Sequence, residues 1–111
     1  MTGISTHVLD ITTGRPLSGL QIELYDVATD PPTLLNKTRT NPDGRTDAPM
    51  LPAASARTGQ FELRFHVGDH FKSAEALSEV VPVRFAIFDA AQHYHIPMLC
   101  APQFFSTYRG S

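Results

Sequence analysis

Apolar residues in this chain recur at every second position, in short runs closed off by glycine and proline. That period places alternate side chains on opposite faces of an extended strand, and no stretch carries the longer recurrence of an amphipathic helix. Over 3–11, Thr6, Val8 and Asp10 face one way and His7, Leu9 and Ile11 the other. A turn at Thr13-Gly14-Arg15-Pro16 leads to a strand over 20–27, with Leu20, Ile22 and Leu24 on one face. Pro31-Pro32 forces a loop before a strand over 34–40. Phe61, Leu63, Phe65 and Val67 alternate with Glu62, Arg64 and His66 in a half-buried strand, and Val81, Val83, Phe85 and Ile87 line one face of another over 80–89. The last two strands, 93–101 and 104–110, meet at a turn at Pro102. The weakly patterned 46–52 reads as a short edge strand, and 73–79 as the one helix, capped by Ser73. About eight short strands and one short helix, without an internal repeat or linker, predict an all-β fold: a two-sheet antiparallel β-sandwich.

One domain over 1–111 is expected at this length. A domain so small buries roughly 65% of its unfolded surface, so its stability gains from association. The apolar final strand pair, with Ile96, Leu99, Phe104 and Phe105, is the expected place for subunits to meet. A net charge of −2 and no basic run give no electrostatic footprint for nucleic acid. No stretch reaches the roughly 18 apolar residues of a membrane span, and the first residues lack a charged and an apolar signal region. A cytoplasmic protein without membrane contact is the expectation. Cys100, the single cysteine, allows no internal disulfide and reads as a buried packing thiol between apolar neighbours.

The chemistry-bearing candidates are few. His7 lies on the strand face opposite Thr6 and Val8, free of the core pattern, and imidazole titrates near neutrality. His93 and His95 are two apart on a strand and share a face. With His7 they offer three nitrogens to zinc, or else an acid–base pair with a supporting neighbour; spacing leaves both open. Asn41-Pro42-Asp43-Gly44 is a strong turn signal, and it fixes where Arg45 points: proline presets φ and glycine takes the left-handed exit. A guanidinium held there can grip carbonyl or anionic oxygens with paired N–H donors. The chain closes on Tyr108-Arg109-Gly110-Ser111. No nucleophile elbow or phosphate loop occurs, and no motif marks Ser5 or Ser106 as a nucleophile. His66 and His70 flank a loop and read as solvated.

Taken together, these blocks resemble the 5-hydroxyisourate hydrolase family, the transthyretin-related proteins of purine breakdown. The likeness runs through Ser5-Thr6-His7-Val8-Leu9-Asp10 and Gly14-Arg15-Pro16, then Thr40-Asn41-Pro42-Asp43-Gly44-Arg45. It closes with His93-Tyr94-His95-Ile96-Pro97-Met98-Leu99 and Ser106-Thr107-Tyr108-Arg109-Gly110-Ser111. The terminal tetrapeptide is its most specific mark. Met98 and Cys100 depart from the family pattern as packing changes, and 49–60 matches loosely. The resemblance implies a transthyretin-like sandwich and a homotetramer with sites between dimers. It also implies hydrolysis of 5-hydroxyisourate to 2-oxo-4-hydroxy-4-carboxy-5-ureidoimidazoline (OHCU) without metal or cofactor. It carries catalytic roles to His7, Arg45, His95 and Ser111, and substrate binding to His7, Arg45 and Tyr108. A transthyretin-type carrier of small ligands is the other function that this fold would allow.

Overall fold

The structure, a computed structural model, describes residues 3–72 and 79–110. Its strands are β1 (Gly3–Asp10), β2 (Arg15–Pro16), β3 (Gln21–Asp26), β4 (Thr33–Arg39), β5 (Gly59–Phe65), β6 (Val81–Ile87), β7 (His93–Ala101) and β8 (Phe104–Thr107). They form two four-stranded sheets in the orders β2-β1-β7-β8 and β4-β3-β5-β6. The predicted sandwich is present, with one difference. β1 runs parallel to β7, and every other pair is antiparallel. Alternation fixes which face a side chain takes, and it is the same for either direction of pairing.

The inward faces follow the pattern. Ile4, Val8, Ile22, Leu24, Phe61, Leu63, Phe65, Val81 and Met98 are all buried between the sheets. Each such side chain stabilises the fold by about 1.5–3 kcal/mol through burial. Buried hydroxyls are satisfied locally: Thr6 Oγ1 donates to the Ile96 carbonyl at 2.7 Å, and Thr40 Oγ1 to that of Leu17 at 2.6 Å. Cys100 lies in this core, where burial and the nearby Asp10 carboxylate push its thiol up to about 12. Cys100 is therefore expected to resist thiol reagents at neutral pH in the folded protein and to react on denaturation. Mass spectrometry of alkylated protein, with and without urea, checks this.

Several local expectations change. Segment 46–52 forms no strand. Only single bridges join Arg45 to His7 and Leu51 to Ile4, because Pro49 and Pro52 interrupt pairing and Thr46 Oγ1 closes a local turn on the Ala48 carbonyl at 2.5 Å. Arg15 and Pro16, read as turn, pair with Asp10 and Leu9 instead. The last strand stops at Thr107, and the chain rejoins the sheet at Gly110, bridged to His95. Of the predicted helix over 73–79, residues 73–78 lie outside the described residues. Ile96 belongs to the core, while Phe104 and Phe105 are 52% and 41% exposed. His66 and His70 are paired rather than solvated. His66 Nε2 meets Glu23 at 2.7 Å and His70 Nε2 meets Asp10 at 3.1 Å, because the 3-10 turn Val67–Asp69 between them sets the two rings beside carboxylates of β3 and β1.

Glu62, predicted on an outward face, is only 6% exposed. Burial raises its carboxyl, but bonds from Arg64 at 2.6 Å and Arg84 at 3.2 Å outweigh this and hold it below its ordinary value of 4.5. A depressed carboxyl stabilises the fold above its unfolded pKa, and the contribution is lost as pH falls through the folded value. Stability should thus drop below pH about 4.5. Glu62→Gln should be less stable at pH 7 and show a shallower acid loss, measured by urea denaturation across pH.

Candidate active site

The parallel register builds the site. Gly3 pairs with His93, Ser5 with His95 and His7 with Pro97. Since Ile4, Thr6 and Val8 turn inward, Ser5 and His7 share the outer face with His93 and His95. The Ser5 hydroxyl lies between the two imidazoles, 2.7 Å from His93 Nε2 and 2.8 Å from His95 Nδ1.

Arg45 arrives from the loop after β4. Gly44 N–H donates to the Asn41 carbonyl at 2.9 Å, and the Asn41 side-chain oxygen accepts from the N–H groups of Asp43 and Arg45 at 3.0 and 3.1 Å. Gly44 has φ of +75°, and a Cβ there would overlap the Val8 carbonyl oxygen and crowd the His7 ring, so only glycine lets the turn dock on β1. Val8 N–H donates to the Gly44 carbonyl at 2.8 Å, and Arg45 bridges His7 directly. Among the described residues, no hydrogen-bond or ion-pair partner holds the Arg45 guanidinium. It stays exposed beside the histidines.

From the other side comes the chain's last turn. Gly110 N–H donates to the His95 carbonyl at 2.7 Å, and a Cβ at Gly110 would stand 2.8 Å from His95 Cδ2. Arg109 anchors this turn, its guanidinium 4.0 Å over the Tyr94 ring and donating to Gln92 Oε1 at 2.8 Å.

The electrostatics converge on His95. Burial, then the charges of Arg45, His93 and His7, all push its pKa below 6.5. A ring so placed is neutral at pH 7 and able to accept a proton. Next to it a cleft of about 220 Å³ opens between Ser5 and His93 on the sheet and Arg45, Thr46, Asp47 and Pro49 on the loop.

Of the predicted set, His7, Arg45 and His95 come together. Tyr108 is 57% exposed, and among the described residues no hydrogen bond holds its phenol. Ser111 lies outside the described residues. Among the described residues, no three His, Cys, Asp or Glu side chains form a cluster able to hold a metal. Ser5 was missed. Its signal was the same alternation that turns His7 outward, two residues before it.

Comparison with known proteins gives consistent results. The model of the HIUase/transthyretin family matches residues 4–110. A Rhizobium meliloti (strain 1021) protein named 5-hydroxyisourate hydrolase 2 is 48% identical, covering 97% of this chain and 95% of its own. The structure of Klebsiella pneumoniae 5-hydroxyisourate hydrolase superposes with a TM-score of 0.82 at 34% identity, over 97% of this chain and 98% of that one. Sea bream transthyretin, solved in complex with thyroxine, superposes at 0.87 over 96% and 93%, with 17% identity, a likeness of fold alone.

Proposed function

The chain belongs to the HIUase/transthyretin family, and from that premise we propose that it hydrolyses 5-hydroxyisourate to OHCU, with His7, Arg45, His95 and Ser111 as its catalytic set. The observation that carries this reading is the meeting of His7, Arg45 and a neutral-biased His95 beside one open cleft. Relatives named for this hydrolysis match almost the whole chain and support it. Residues 1–111 act as one domain.

Ring opening requires a base for water, a donor for the oxyanion, and a proton for the leaving nitrogen. Imidazole suits the first and third tasks near pH 7, neutral for the first and as the resulting imidazolium for the third. Water at the cleft gives its proton to the His7–His95 pair as its oxygen attacks the lactam carbonyl carbon. The carbonyl electrons move onto oxygen, where Arg45 stabilises the charge. Collapse of the adduct breaks the C–N bond, and the imidazolium returns the proton to nitrogen. Ser111 orients the water or the base, and Tyr108 lines the substrate pocket. No step calls for a metal.

We assign the assembly to a homotetramer. Exposed Phe104 and Phe105 on the edge strand β8 give subunits an apolar face to share. A partner subunit packed there would bring cover to Tyr108 as well.

The test is urate plus urate oxidase, followed by ultraviolet absorbance. Faster decay of the transient intermediate with this protein supports the hydrolase. An unchanged decay, together with saturable binding of an aromatic ligand, would favour a transthyretin-type carrier. Sedimentation at falling concentration, with activity measured in parallel, checks the tetramer. A fully active monomer would overturn that part.

A further inference from the structure

We propose that the Ser5 hydroxyl links His95 to His93 as a proton relay, so that the proton taken from water at His95 is passed on to His93 on the wall of the cleft. This rests on the hydrolase reading and adds two residues to it.

The geometry comes first. Ser5 Oγ stands 2.7 Å from His93 Nε2 and 2.8 Å from His95 Nδ1, both hydrogen-bond distances. A serine hydroxyl carries one hydrogen. It can donate to one of these rings while it accepts an N–H from the other. The two imidazoles are thereby locked into complementary tautomers. If His95 is to accept a proton at Nε2, its Nδ1 must carry the hydrogen, donated to Ser5 Oγ. Ser5 then donates to Nε2 of His93.

The step follows from that arrangement. As water attacks, its proton forms a bond to His95 Nε2. The Nδ1 hydrogen of His95 shifts to Ser5 Oγ, and the Oγ hydrogen shifts to His93 Nε2. Serine ends with one hydrogen as it began, and the positive charge has moved from His95 to His93. The reverse shift supplies the proton to the leaving nitrogen.

The surroundings favour this direction. His95 meets burial and the charges of Arg45 from the loop, His93 on its own strand and His7 on the neighbouring one, all opposing an imidazolium there. His93 lines the cleft, which also carries the Asp47 carboxylate and opens to water. Register makes the bridge specific: Ser5 is directly opposite His95 in the β1–β7 pair, and His93 is the next residue back on that face.

Ser5→Ala removes the bridge, while Ser5→Thr keeps a hydroxyl on a strand that accepts β-branched residues. Nitrogen-15 NMR of the histidine rings at pH 8 is the readout that does not depend on turnover. The expected wild-type result is a hydrogen on Nδ1 of His95, shifting toward the Nε2-protonated form in Ser5→Ala and restored in Ser5→Thr. In hydrolysis, Ser5→Ala should lower kcat on the order of tenfold or more with KM within about twofold, inside the range of acid–base contributions. The enzymatic rate should show a curved dependence on deuterium fraction in the wild type and a linear one in Ser5→Ala. An unchanged His95 tautomer in Ser5→Ala, or equal linear dependences, would overturn the relay. Absence of hydrolysis by the wild type with the tautomer shift intact would instead sink the hydrolase reading alone.

Discussion

His95→Asn is expected to lower kcat/KM for 5-hydroxyisourate by about 10²–10⁴-fold, the range of a positioned acid–base group. Asparagine keeps a polar side chain in the space but cannot take a proton. The wild-type rate should also fall on acidification through a limb set below pH 6.5, since burial and then the charges of Arg45, His93 and His7 depress the His95 pKa. Only the neutral ring acts as base, so the rate is full above that limb and lost beneath it. The limb should vanish or move in His95→Asn. Unfolded protein binds the His95 proton more readily than folded, so the same residue lowers stability as pH falls from 6.5 through its folded value. Stopped-flow absorbance from pH 5 to about 8.5 checks the first claim, and a variant with near wild-type turnover would remove His95 from the mechanism.

The sandwich was legible because burial obeys the alternation. Phe61, Leu63, Phe65 and Val81, Val83, Ile87 turned inward where the pattern put them. The parallel β1–β7 pair was not, since partners across the chain ends leave no local trace. That pair is what aligns Ser5 with His95, so the serine bridge was hidden along with it. The turn before Arg45 could be read from Asn41 to Gly44, because its chemistry is local. Its docking on β1 through the Val8 N–H could not. Glu62 misled for a related reason: alternation marks it as outward, but two arginines from β5 and β6 close over it. Tyr108 and the terminal serine carry roles through resemblance, and within one chain Tyr108 remains exposed.

Arg45→Ala is expected to raise the barrier by about 2.7–4 kcal/mol, roughly 10²–10³ in kcat, if Arg45 acts as an oxyanion donor. Two features of the site give this prediction a second, independent signature. The Arg45 backbone is held next to His7 by a turn that glycine at position 44 permits, which keeps its charge near the histidines. After burial, its charge does the most to depress the His95 pKa. Removing it should therefore slow turnover and at the same time move the acid limb upward, toward pH 6.5. Arg45→Lys separates the two effects. Lysine keeps a positive charge, so the limb stays low, but it lacks the planar fork that grips two oxygens, so the rate falls part of the way. Gly44→Ala, by contrast, should misplace the whole turn and weaken the fold, through strain at positive φ and overlap with the Val8 carbonyl. A rate loss in Arg45→Ala with no shift of the limb would mean that the arginine contacts substrate without acting on His95. Near-full turnover would mean that it does neither.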